Sequence, residues 1–184
     1  VLAFAATPNF ESPADADTNN VYSITATITD GTLTSTQDIT VTVTDINDES
    51  PVLSVATPYS VAEGATTVAT VTASDADAGT TITFSLSGTD AGDFAIDSSS
   101  GAITFNSAPN FESPTGGAGN NSNAYSLNVV ASDGTNTDTE AIVVNVTDTN
   151  DESPVLSVAT PYSVAENTTT VATVTASDAD AGTT

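Results

Sequence analysis

Oxygen-bearing side chains recur along this chain in short, fixed motifs. Val61-Ala-Glu63 returns as Val164-Ala-Glu166, and Asn9-Phe-Glu11 as Asn110-Phe-Glu112. Asp75-Ala-Asp77 returns as Asp178-Ala-Asp180, and Asp45-Ile-Asn47-Asp48 as Asp148-Thr-Asn150-Asp151. A lone Asp precedes Gly at Asp30-Gly31 and Asp133-Gly134. Calcium takes about six to eight oxygens, mixing carboxylates, carbonyls and waters. Alternating D-x-D spacing in a loop lets two carboxylates converge on one ion, and an Asn-Asp pair adds an amide oxygen. Taken singly, each motif reads equally well as a turn, because Asp and Asn bond to their own backbone there. Asp75-Ala-Asp77 does not open an EF-hand loop: the fifth position is Gly79, and the twelfth, which should be a bidentate Glu, is Leu86.

Composition sharpens the metal reading. The chain has 24 Asp and Glu and no Lys, Arg or His, a formal charge of −24. Clustered carboxylates need a compensating cation, since like charges repel and a desolvated charge is costly. No side chain here supplies one, so the carboxylates either stay apart in water or take cations from solution. Without a basic patch, nucleic acid and anionic lipid are poor partners. Catalysis by His or Lys is closed. Cys is absent, so disulfides and thiolate metal sites are excluded, and zinc is a poor fit to what remains. A hard cation such as calcium suits the oxygens that are present.

Those motifs ride on an internal repeat. Residues 51–81 and 154–184 differ only at Gly64/Asn167 and Ala65/Thr168, and their first prolines, Pro51 and Pro154, lie 103 residues apart. The Pro8-to-Pro13 motif recurs at Pro109-to-Pro114 with an offset of 101, so the intervening loop differs by two residues. The phase predicts the second half of one repeat over 1–49, a complete repeat over 50–152 and the opening of a third over 153–184. No run approaches the ~20 apolar residues of a membrane span. A start at Val1, with no signal segment, reads as a window from a longer secreted array.

Strands must position the motifs. The repeat is rich in Thr and Val, in alternating runs bounded by Gly, Asn, Asp and Ser. Ile82, Phe84 and Leu86 alternate with polar residues, as do Tyr125, Leu127, Val129 and Ala131, and Ile142, Val144 and Val146. Tyr22, Ile24, Ala26 and Ile28, then Ile39, Val41 and Val43, match them in the first half-repeat. All are predicted core residues. A hairpin is predicted over Ile96–Ile103, turning at Ser100-Gly101. About seven strands in roughly 100 residues indicate an antiparallel Greek-key sandwich. No segment has helical periodicity.

Four motifs in one order, twice over at one period, resemble the bacterial cadherin-like tandem repeat, and the resemblance covers essentially the whole chain. It implies an all-β fold of tandem Greek-key, immunoglobulin-like sandwiches of about 103 residues. In that family calcium ions, commonly about three, sit at each junction between consecutive domains and stiffen the linker. Carried over by position, the first junction would use Asn9, Glu11, Asp45, Asn47 and Asp48, with Asp75, Asp77 and Asp133 from the next repeat and the Ile46 carbonyl. The second would use Glu63, Asn110, Glu112, Asp148, Asn150 and Asp151, the Thr149 carbonyl, and Asp178 and Asp180. Two departures stand out. Asn9 and Asn110 replace a usual Asp, and Glu49 and Glu152 replace a usual Asn whose backbone oxygen coordinates.

The function implied is structural: a calcium-rigidified, non-enzymatic extracellular rod, stalk or filament of a bacterial surface. Its partners would be neighbouring repeats and further copies in fibres, without nucleic acid or direct membrane contact. An adhesive module for carbohydrate or like partners is the alternative, though the chain has no Trp, only 4 Tyr and 6 Phe. Glycosidase-like carboxylate pairs are disfavoured, because the acids recur with the repeat as structural sites do. Asp15-Ala-Asp17 has no counterpart in the matching loop and reads as a solvated turn or a peripheral ion site. Asn120, Asn145 and Asn167 fit the glycosylation pattern, a weak match in a Thr-rich chain.

Overall fold

A computed structural model describes residues 1–116 and 122–180; Asn120 lies outside them. The elements are strands throughout, apart from one 3₁₀ turn at Ala91–Asp93. Contacts divide the chain into two compact units.

The first unit comprises Val1–Leu53, Ala73–Thr83 and Ala131–Asp138. Strands β1 (Val21–Thr29) and β2 (Thr34–Thr42) form its antiparallel hairpin, in unbroken register from Val21↔Thr42 to Thr29↔Thr34. The turn between them is set by Asp30, whose Oδ1 accepts from the amides of Thr32 and Leu33, and by Gly31 at φ +97°. The predicted strands are therefore present, but the predicted core here is not. Ile24 and Ile28 are 39% and 73% exposed. Their alternation marks a face built to be covered, and residues 1–49 hold no second sheet to cover it. Phe4 meets that face edge-on at Tyr22, ring centroids 5.1 Å apart. A short ribbon pairs β3 (Val52–Ser54) with β6 (Thr72–Ser74).

The second unit comprises Ser54–Thr72, Phe84–Val130 and Thr139–Thr184. Here β4 (Tyr59–Ala62), β7 (Thr83–Ser87), β10 (Ala124–Ser132) and β11 (Thr137–Thr147) form a four-stranded sheet in the order β4-β11-β10-β7. The β4–β11 pair is parallel, with Val146 opposite Val61. The facing sheet has the order β5-β9-β8, from β5 (Thr67–Thr70), β8 (Phe94–Ile96) and β9 (Ala102–Phe105). Tyr125, Leu127, Val129 and Ala131 on β10 and Ile142, Val144 and Val146 on β11 are all buried, as alternation predicts. Ile103, Phe105 and Phe94 meet them from the other layer, and Phe94, Phe105 and Tyr125 stack with centroids 4.4–5.5 Å apart. This is an all-β sandwich with one core. The last strands, β12 (Val155–Ser157) and β13 (Thr175–Ser177), form a two-stranded ribbon of exposed residues.

The predicted hairpin is present: β8 and β9 pair antiparallel, Ile96 opposite Ile103. Asp97 Oδ1 accepts from the amides of Ser99 and Ser100, which tightens the turn. Gly101 follows at φ +72°, where an added Cβ would overlap the Val71 carbonyl oxygen. Gly64 also has positive φ, +74°, but nothing lies within 4 Å of a Cβ there. Its counterpart Asn167 has φ +67°, so both residues of this repeat difference suit the left-handed region. Gly101→Ala is expected to destabilise the sandwich by about 1–2 kcal/mol or more, and Gly64→Asn to change it by less than about 0.5 kcal/mol. Urea midpoints in calcium check both.

Candidate metal centres

The acidic motifs sit in loops at strand ends, and backbone amides aim them. Asp75 Oδ1 accepts from the amide of Asp77, closing the D-x-D turn; Asp178 and Asp180 repeat the bond. Asp77 Oδ2 accepts from the amide of Glu49 at 3.0 Å, and Asp45 Oδ2 from that of Ala78 at 2.6 Å. Asp133 Oδ1 takes the amides of Thr135 and Asn136, both at 2.6 Å. Thus one oxygen of each of these four carboxylates is fixed. The other oxygen of each (Asp75 Oδ2, Asp77 Oδ1, Asp45 Oδ1 and Asp133 Oδ2) is buried and receives no donor. Glu11 Oε1, Asn47 Oδ1 and both carboxyl oxygens of Glu112 are in the same state.

The carboxylates converge. In the first unit, carboxylate oxygens of Glu11, Asp48 and Glu49 lie within 4.8 Å of one another, as do those of Glu11, Asp45 and Asp77, and of Asp75, Asp77 and Asp133. Shared Glu11 and Asp77 link the three triads into one chain of sites. In the second unit the triads are Glu63, Glu112, Asp148 and Glu112, Asp151, Asp180, linked by Glu112. Asp77 and Asp180 are 4% exposed and Glu63 is 7% exposed, in a protein with no cationic side chain. Crowded carboxylates, several with a buried oxygen that has no donor, present hard oxygens that fit a hard divalent cation. Without imidazole or thiolate they do not fit zinc.

Electrostatics follow from that crowding. Burial first, then repulsion from Glu63 and a contact with Asp148, push the Glu112 carboxyl from 4.5 to about 7, against its own backbone amide. Glu11 is also raised: its backbone amide favours the anion, but burial, Asp45 and Asp48 together outweigh it. Burial raises Asp180, reinforced by Asp178 and Asp148. Glu63 is lowered instead, because it accepts the amides of Phe111 and Thr149, each at 2.8 Å. Burial opposes ionisation of Asp133, yet the amides of Asn136 and Thr135 and the side chain of Asn47 win and lower it.

Other expected ligands are placed differently. Asn9 and Asn110 are exposed, and each Oδ1 accepts from the amide three residues on, Ser12 or Ser113. They terminate the turn that presents Glu11 and Glu112. Asn47 is half-buried beside Asp133, whereas Asn150 is exposed. Thr149 donates its amide and hydroxyl to Glu63. Ile46 is 66% exposed.

Three features escaped sequence reasoning. The side chain of Glu49 joins a triad, while its carbonyl accepts from Asn136 Nδ2 at 2.7 Å. Glu152 donates its amide to Asp180, as Glu49 does to Asp77. Asn20 and Asn123 each donate Nδ2 to the carbonyl of Phe10 or Phe111, and accept the amide of Val43 or Val146 on their own carbonyl. They pin the Asn-Phe-Glu loop to the strand end in both repeats. Only their equal place before Tyr22 and Tyr125 hinted at it. In the Asp15-Ala-Asp17 loop, Asp15 and Asp17 both accept from Asn19, and neither belongs to a triad among the described residues.

Comparison places these features among known proteins. A family model for the Cadherin domain matches residues 57–147. Curated protein sequences give no match. The protocadherin GammaB4 extracellular domain is similar at 30% identity and TM-score 0.67, over 93% of this chain and 28% of that one. A protocadherin gammaB7 EC3-6 cis-dimer structure matches at 26% identity and 0.69, over 93% and 45%. Human CDH23 EC21-23 matches at 26% and 0.69, over 93% and 58%. The chain thus spans 28% to 58% of the length of these relatives.

Glu112 makes a prediction about the metal-free protein. Its folded carboxyl titrates at about 7 against an ordinary 4.5, so between those values the folded state holds a proton that the unfolded state has lost. Stability in chelator should therefore rise as pH falls from 8 towards 5. The stability that Glu63 and Asp133 contribute is lost only at lower pH, since their values are depressed. Urea unfolding from pH 5 to 8 checks this. Glu112→Gln should remove much of the slope, and an unchanged slope refutes the assignment.

Proposed function

Residues 57–147 are a cadherin domain, and from that premise we propose that the chain is a calcium-rigidified segment of an extended extracellular repeat array. The proposed repeats run over 1–49, 50–152 and 153–184, with ions bound at the boundaries. The observation that carries this reading is the division of labour within Asp45, Asp75, Asp77 and Asp133: a backbone amide holds one oxygen, and the other is buried without a donor.

In this reading the first site takes Glu11, Asp45, Asp48, Asp75, Asp77 and Asp133, with Asn47 and the Glu49 side chain. The second takes Glu63, Glu112, Asp148, Asp151 and Asp180, supported by Asp178. Bound calcium supplies positive charge and a many-coordinate oxygen shell. Asn9 and Asn110 act mainly as turn-formers that aim the following Glu. Without the ion, each site gathers anions that repel, so the chain on either side loosens. With it, the same groups favour one arrangement, and binding energy appears as stability and stiffness. A stalk, adhesin shaft or filament is the natural use of such a segment. Lateral association of chains belongs to the same proposal, and similarity to a protocadherin solved as a cis-dimer supports it.

No helix among the described residues is long and apolar enough to cross a membrane.

Two measurements test the proposal. Small-angle scattering should show the maximum dimension of the chain changing when calcium is chelated; identical curves would count decisively against it. Asp151→Ala should weaken calcium binding at the second site by at least about tenfold, since loss of even an outer-shell partner costs 10–100-fold. Calorimetric titration reads that change.

A further inference from the structure

The two copies of the repeat opening differ at one turn, and the difference is chemical. Residues 51–81 and 154–184 are identical except at Gly64/Asn167 and Ala65/Thr168. Both copies carry Thr at the next position, Thr66 and Thr169. Asn167-Thr-Thr169 is therefore an Asn-x-Thr acceptor motif for N-linked glycan, and Gly64-Ala-Thr66 lacks only the asparagine.

The complete repeat shows what this position offers. Gly64 forms the turn after Glu63, between β4 and β5. Its amide donates to the Pro109 carbonyl at 2.9 Å, and that of Ala65 to the Ala62 carbonyl at 3.2 Å. Those bonds fix the backbone without help from the side chain of residue 64. Gly64, Ala65 and Thr66 are all exposed, in a repeat whose two sheets are both present. A Cβ at Gly64 meets nothing within 4 Å, so a side chain there leads away from the fold. The turn backbone is left-handed, φ +74° at Gly64 and +67° at Asn167, a conformation in which Asn replaces Gly at little cost. The open space is thus a property of the turn in a closed sandwich, independent of what surrounds Asn167 in its shorter copy. Of the other two motif matches, Asn145 is half-buried in β11, between β4 and β10 and opposite Ser60, and Asn120 lies outside the described residues.

We propose that Asn167 is a glycosylation site that carries an N-linked oligosaccharide. The co-reactant is an oligosaccharide on a polyprenyl diphosphate. Asn167 Nδ2 displaces the diphosphate at the anomeric carbon: the C–N bond forms and the C–O bond to phosphate breaks. One Nδ2 proton is released, and polyprenyl diphosphate is the leaving group. A neutral oligosaccharide is bulky and solubilising. It covers the turn beside Glu166 without adding charge to an acidic loop. The counterpart Glu63 belongs to the triad with Glu112 and Asp148, yet position 64 opens to free space, so sugar and carboxylate cluster are compatible. The site needs passage through a secretory compartment and is independent of the calcium reading.

The test secretes the chain from a eukaryotic cell line and maps glycopeptides by mass spectrometry. An Asp- and Glu-cleaving protease releases them, since the chain has no Lys or Arg for tryptic digestion. A glycan at Asn167 is expected on folded, monodisperse protein. Thr169→Ala and Asn167→Gln should each remove it, and Thr169→Ser should retain it. Gly64→Asn should add a second glycan at the matching turn of the complete repeat. A folded, secreted chain with Asn167 bare, a glycan that survives Thr169→Ala, or no second glycan on Gly64→Asn overturns the site. None of these outcomes touches the calcium reading, because the cell line supplies secretion. A glycan that follows the substitutions, on a chain whose scattering ignores chelator, supports the site and overturns the calcium reading.

Discussion

Uncompensated negative charge is the constraint on which this structure turns. Ordinary proteins bury a carboxylate beside Arg, Lys or His, and the pair settles its own electrostatics. Here Glu63, Asp77 and Asp180 are buried and no side chain in the chain is positive. Backbone amides answer part of the problem, as they do for Glu63, whose two accepted amides lower its carboxyl pKa. They cannot answer all of it. Each amide neutralises no net charge, and Glu112, caught between Glu63 and Asp148, shows the residue of the conflict in a carboxyl raised to about 7. A proton or a cation must finish the task.

The way the amides are used decides which. Where a carboxylate is only a turn cap, its second oxygen normally faces water. At Asp45, Asp75, Asp77 and Asp133 the second oxygen is buried without a donor, and these residues belong to overlapping triads whose carboxylate oxygens lie within 4.8 Å of one another. A proton shared between two oxygens would relieve one pair. It would not serve a chain of triads that share Glu11 and Asp77, where many acceptors face each other with almost no hydrogen to give. A multidentate cation suits that geometry, because calcium takes carboxylate, amide and water oxygens together in a flexible shell.

Much of this was legible in the sequence, for identifiable reasons. Alternation located β10 and β11 because a half-buried strand must change face at every residue. The Asp97-to-Gly101 turn was legible because only a few residues suit its backbone. The acidic clusters were legible because the repeat presents each motif twice in one order, and the carboxylates so marked do come together in triads. What escaped depends on distant partners. Glu49 looked like a backbone ligand, yet its carbonyl is taken by Asn136, which comes near only through tertiary folding. The Asn20 and Asn123 staples are long-range bonds between residues of unremarkable type. Ile24 and Ile28 read as core, and their periodicity is that of a core strand. Periodicity reports the face a strand offers and is silent about whether anything faces it.

The missing cations can be understood in the same terms. A Lys or Arg near Glu112 or Asp77 would pair with the buried carboxylate within the chain and compete with any ion from solution. The site would then be neutral, ordered and indifferent to its surroundings. With every basic residue absent, neutralisation has to come from solution, and in the proposed calcium reading the order of the acidic loops becomes a function of dissolved cation. The same absence also limits mispairing: within this chain no acidic loop can be captured by a basic patch. In that reading a repeat whose only charged side chains are acidic ties its folded loops to an ion-rich medium, and its own backbone amides fix where the ion would be received.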